Sequence, residues 1–90
     1  MEENIDDICK RYGASLLLSQ FNCTIMFKDG KELVYAMNNQ CKTVDSILRN
    51  AKSIMLSNAH GRIFKDGKFI GYAPAASSID ELLVAVDLML

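Results

Sequence analysis

The pentapeptide Phe-Lys-Asp-Gly-Lys occurs twice, at residues 27–31 and 64–68, and no other feature constrains the fold as much. Asp-Gly between apolar-alternating segments is a strong hairpin signal, because glycine takes positive φ at little steric cost. Each copy is followed by Tyr-Ala, at Tyr35-Ala36 and Tyr72-Ala73. An offset of 37 positions aligns residues 14–36 with 51–73, with eight of the 23 pairs identical. Apolar character also matches at Leu17/Ile54, Leu18/Met55, Met26/Ile63 and Leu33/Ile70. After a two-residue gap the match continues from "TVDSIL" to "SIDELL". The chain therefore reads as one domain over residues 1–90, with an internal repeat at 14–48 and 51–83.

The two units predict the same elements. Strands are expected at 22–27 with 31–37, and at 62–64 with 68–73, each pair closed by an Asp-Gly turn of either two or three residues. The short apolar runs "SLLLS" and "SIMLS" read as a further strand in each unit. Three segments carry helical spacing instead. Ile5, Ile8, Cys9 and Tyr12 fall at i, i+3, i+4, i+7, with Gly13 placed to end the helix. Val44, Ile47, Leu48 and Ala51 repeat that spacing behind Thr43 as N-cap, and Ile79, Leu82, Leu83 and Val86 repeat it behind Ser78. Ser78 and Glu81 have the spacing of a capping box. The expected class is α+β, with an antiparallel sheet from two βββα-like units in the order α-βββ-α-βββ-α and helices on one face.

Composition excludes several function classes. Half of the residues are hydrophobic and the net charge is −1, so no global field attracts nucleic acid or anionic lipid. The longest apolar stretch, "LLVAVDLML", is interrupted by Asp87 and too short to span a bilayer, and the acidic start lacks a secretory apolar run. A soluble, cytoplasmic chain without a membrane partner is the expectation. Cys9, Cys23 and Cys41 are widely spaced and His60 is the single histidine, so no metal site is expected and the thiols read as reduced and buried. His60 with Cys23 or Cys41 lacks the glycine loop that would form an oxyanion hole, so no catalytic residue is assigned and the chain reads as non-enzymatic. No phosphate-cradling glycine motif is present, and no cofactor is expected.

Two candidate surfaces remain. Lys28, Lys31, Lys65 and Lys68 flank the two turns and, if both tips converge, form a possible anion-binding site for a nucleotide or nucleic-acid segment. Solvated turn lysines are the plainer reading, since each tip also carries an aspartate. The order α-βββ-α resembles that of double-stranded-RNA-binding domains, which place cations at the start of the last helix. Here "SSIDELL" places acids there, where they favour the helix dipole and repel phosphate. On the C-terminal helix, Ile79, Leu82, Leu83, Val86, Met89 and Leu90 share a stripe, while Val84 and Leu88 lie nearly opposite. A helix apolar on two sides is usually covered on two sides. Val84, Leu88, Met89 and Leu90 are therefore the expected partner interface of a homodimer. The functional expectation is a small protein-interaction module that inhibits or adapts a larger partner, in the manner of phage or mobile-element anti-defence proteins and antitoxins.

Overall fold

A computed structural model describes residues 3–37, 43–57 and 61–89. Among them, the elements are α1 (Ile5–Arg11), β1 (Ser15–Leu18), β2 (Asn22–Met26), β3 (Lys31–Ala36), α2 (Val44–Leu56), β4 (Arg62–Lys65), β5 (Lys68–Tyr72) and α3 (Ile79–Asp87). The class is α+β, with three helices and one five-stranded antiparallel sheet in the order β1-β2-β3-β4-β5.

The helix ends follow local chemistry. Asn4, Thr43 and Ser78 accept from the amides of Asp7, Ser46 and Glu81 at 2.9, 3.2 and 3.1 Å, satisfying donors that each first turn leaves open. Past α1, Gly13 at φ +70° donates to the Lys10 carbonyl and Ala14 to that of Cys9, a Schellman ending. One expectation shifts by a residue. The Glu81 carboxylate bonds the Ser77 amide and hydroxyl, at 3.1 and 2.6 Å, instead of closing the box on Ser78.

The strand expected at "SIMLS" is absent, because α2 runs through it to Leu56. Leu48, Ala51 and Met55 are buried at helical spacing, and neither Gly nor Pro interrupts the segment. The periodicity that begins at Val44 thus continues into a run whose apolar residues also suit a strand. The order is α-βββ-α-ββ-α, and the two units are not alike.

The repeated pentapeptide makes two different hairpins. Between β4 and β5, Lys65 pairs with Lys68 across a two-residue turn, with Asp66 at φ +52° and Gly67 at +82°, a type I′ geometry. Between β2 and β3, Phe27 donates to the Lys31 carbonyl across a three-residue loop ending in Gly30 at φ +92°. One residue of slip inverts a strand's facing. Phe27 is buried and Met26 exposed, whereas Ile63 is buried and Phe64 only half-buried. A bulge then inverts the end of β5. Phe64 pairs with Phe69 but Ile63 with Gly71, leaving Ile70 unpaired. Tyr35 consequently faces the core at 2% exposure, and Tyr72 faces the opposite side at 56%. The expectation that the repeat gives matching facing is corrected by these two irregularities.

One side of the sheet is buried. Cys23, Ile25, Leu33, Tyr35 and Ile63 share a core with Ile5, Ile8 and Cys9 of α1, Leu48, Ala51 and Met55 of α2, and Ile79, Leu82, Leu83 and Val86 of α3. No helix among the described residues is long and apolar enough to cross a membrane.

The turn geometry predicts unequal glycine costs. Space around the Cα of Gly67 is open, so Gly67→Ala should lose about 1 kcal/mol through backbone strain alone. At Gly30 an added methyl would also stand 3.1 Å from Asp66 Oδ1, so Gly30→Ala should cost at least as much. Urea denaturation of both variants checks this.

Candidate functional site

Lys31 does not project from the hairpin tips with the other three turn lysines. Lys31 is the clearest departure from expectation: it is 1% exposed, and its ammonium lies at the C-terminal end of α3. There Nζ donates to the carbonyls of Asp87 and Met89 at 2.7 and 2.6 Å and pairs with Asp29 Oδ2 at 2.9 Å. The three ammonium hydrogens are thereby occupied, and the charge meets the negative end of the helix dipole. Lys31 is a buried helix cap, so it is withdrawn as an anion ligand. Asp29 also accepts the Lys31 amide at 3.0 Å, and these bonds hold its carboxyl below the usual carboxylate range.

Lys28 is exposed at the turn, but its stem crosses the backbone at Gly13, where an added Cβ would clash with Cε. Lys65 and Lys68 face each other across the β4–β5 turn. The two tips are adjacent, since Asp66 lies against Gly30. Their aspartates stand among the lysines, which disfavours an anion.

On α3, Val84 is 43% and Leu88 76% exposed, as a free ridge requires. Met89 is half-buried against the core, with its methyl near Gly71 of β5, and Leu90 lies outside the described residues. Burying two aliphatic side chains is worth roughly 1.5–3 kcal/mol each. Association costs about 4–15 kcal/mol, so this ridge alone is too small to hold a pair.

A larger surface went unnoticed in the sequence. The registers align two rows across all five strands on the side opposite the core: Leu17, Thr24, Val34, Arg62, Tyr72, and Ser15, Met26, Glu32, Phe64, Phe69. Every position is exposed or half-exposed. Phe69 makes edge-to-face contacts with Phe64 and Tyr72, at centroid separations of 5.8 and 5.1 Å. The available signal was apolar residues on both faces of the alternating strands. The hairpin slip and the bulge, which bring the aromatic residues to one side, were not legible.

Burial, with the Asp6 carboxylate nearby, pushes the Cys9 thiol up to about 11, and burial beside Cys9 pushes Cys23 up to about 12. Both are free and buried, the reverse of an activated nucleophile. His60 and Cys41 lie outside the described residues. Asp80 at the start of α3 accepts from Arg11 and from the Tyr12 hydroxyl, both at 2.9 Å, tying α3 to the end of α1. No group of three potential metal ligands occurs among the described residues. A cleft of about 520 Å³ between α1 and α2 is lined by Glu3, Asp45, Arg49 and Lys52, whose charges balance.

Two tests follow from these environments. Lys31→Ala should destabilise the fold by about 2–4 kcal/mol by leaving helix-end carbonyls unpaired, whereas Lys68→Ala should change stability by less than about 0.5 kcal/mol. In a Cys41→Ser background at pH 8, a thiol reagent should modify native Cys9 and Cys23 at least roughly 100-fold more slowly than in urea, because so little thiolate is present. The unfolded chain ionises these thiols near 9.0 and Tyr35 near 10.0, while burial pushes Tyr35 up to about 12 in the fold. Unfolding therefore releases protons above pH 9, and stability should fall from there towards pH 12. Equilibrium melts across that range read this out.

Comparison of the chain with models of protein families, with curated proteins and with solved structures finds no match in any of the three.

Proposed function

We propose that this protein is a small non-enzymatic interaction module, a homodimer that inhibits or adapts a larger partner. The observation that carries this reading is the outer face of the sheet. Among the described residues, the side of the sheet opposite the core presents Leu17, Met26, Phe69 and Tyr72 at 39–56% exposure. Exposed large apolar groups on one contiguous surface mark association sites in soluble domains. The Val84–Leu88 ridge lies on a helix whose other side enters the core, so the chain offers two separate apolar surfaces. A module with one surface for its own copy and one for a different protein has the layout of an adaptor or inhibitor.

Binding of a nucleotide at the turn lysines is the competing reading, and it is weaker with Lys31 committed to α3. Cys9 and Cys23, buried and protonated, likewise give no support to a cysteine enzyme built on either of them. The purified chain should elute with about twice the monomer mass by light scattering at high micromolar concentration. Fluorescence anisotropy should find no oligonucleotide binding at low salt. A monomer at that concentration would remove the homodimer, and tight binding that weakens steeply with salt would transfer the function to the lysines.

A further inference from the structure

We infer that the occupant of the outer sheet face is a second copy of this chain, in a twofold pair stitched by Glu32 and Arg62. The inference rests on the self-association proposed above and assigns it to the sheet rather than to α3. Glu32 and Arg62 are the only charged residues among the ten positions of the two outer rows. They carry opposite signs, and neither takes part in the salt bridges found among the described residues. A surface with one acid and one base in an apolar field is poorly suited to a strongly charged partner and well suited to itself.

The register supplies the geometry. Glu32 pairs with Phe64 and Val34 with Arg62, so these four side chains occupy the corners of a rectangle on the outer face. Glu32 and Arg62 stand on one diagonal, Val34 and Phe64 on the other. A twofold axis lying along the Val34–Phe64 diagonal carries each charged corner to within about 3 Å of the other, since the sides are about 4.8 and about 6.8 Å, a gap that these long side chains span. Glu32 of each copy then meets Arg62 of the other, giving two equivalent ion pairs, as an isologous interface requires. Val34 and Phe64 fall on the axis and pack against their own copies. The strands of the two sheets cross steeply, which is the orthogonal mode of sheet packing.

Size points the same way. Strands spaced about 4.8 Å apart and about five residues long give a five-stranded face of roughly 400 Å² in projection. Side chains standing off the pleat raise the accessible area towards the roughly 800 Å² per partner of a stable interface. Two side chains on α3 cannot reach that figure.

Charge reversal tests the assignment. Glu32→Arg and Arg62→Glu should each weaken the pair at least about tenfold in sedimentation equilibrium, because each sets like charges together on the axis's two sides. The double variant E32R/R62E should return to within about threefold of the native chain. Mixing the two single variants should likewise yield a heterodimer in which both ion pairs are restored. Circular dichroism checks that each variant is folded, and E32Q with R62Q replaces any that is not, with each expected to weaken the pair to a smaller degree. Single variants, charge-reversed or neutral, that are folded and pair as tightly as the native chain would overturn the inference. So would a dimer broken by V84E/L88K but not by the sheet variants, while leaving self-association itself in place. A native chain that is monomeric at high micromolar concentration would remove both.

Discussion

The ammonium of Lys31 at the end of α3 is the contact on which the arrangement depends. Burying a lysine charge costs several kcal/mol unless its hydrogens are matched. Here two helix carbonyls and the Asp29 carboxylate match them. To make those bonds, Lys31 must begin β3 pointing inwards, and Asp29 must sit where it takes both the amide and the ammonium. A three-residue loop provides that placement. The same contact holds the last turn of α3 over the sheet, with Met89 beside Gly71 of β5. Loop register, helix position and the packing at the end of β5 are thus linked through one side chain.

Lys68 shows what the same sequence does without such a contact. It faces Lys65 across a two-residue turn, exposed, and the local preference of Asp-Gly for type I′ geometry prevails. The difference of one residue between the loops turns Phe27 inwards and Phe64 outwards. The bulge at Ile70 then sends Tyr72 out beside Phe69. Two backbone irregularities therefore assemble an aromatic cluster on the outer face from residues whose repeat partners, Phe27 and Tyr35, belong to the core. The surface that supports the functional reading exists because the repeat is broken.

At the start of α3, Asp80 is engaged by Arg11 and Tyr12 and Glu81 by Ser77, and burial keeps the Cys9 and Cys23 thiols protonated. Among the described residues, the two outer rows of the sheet present apolar side-chain area with one charge of each sign, Glu32 and Arg62. Such a surface recognises shape and hydrophobic area. A second copy of the chain, as proposed, meets such a surface with matching apolar area and opposite charges.

Local rules were sufficient wherever a residue acts on its own backbone. Thr43 and Ser78 as caps, Gly13 as a helix stop, positive φ at Gly30 and Gly67, and the buried stripe of α3 all follow from sequence alone. They concern bonds within one or two turns of chain. The strand expected at residues 53–57 failed because a short apolar run suits both a strand and the continuation of a helix, and packing of Ala51 and Met55 decided it. Lys31 failed for a related reason. A lysine beside Asp-Gly is solvated by local preference, and only a helix end that arrives from 56 residues away makes burial favourable. Facing was the furthest out of reach. Strand periodicity of two means that a single added residue, chosen by tertiary contacts, decides which half of the apolar residues becomes core and which becomes surface.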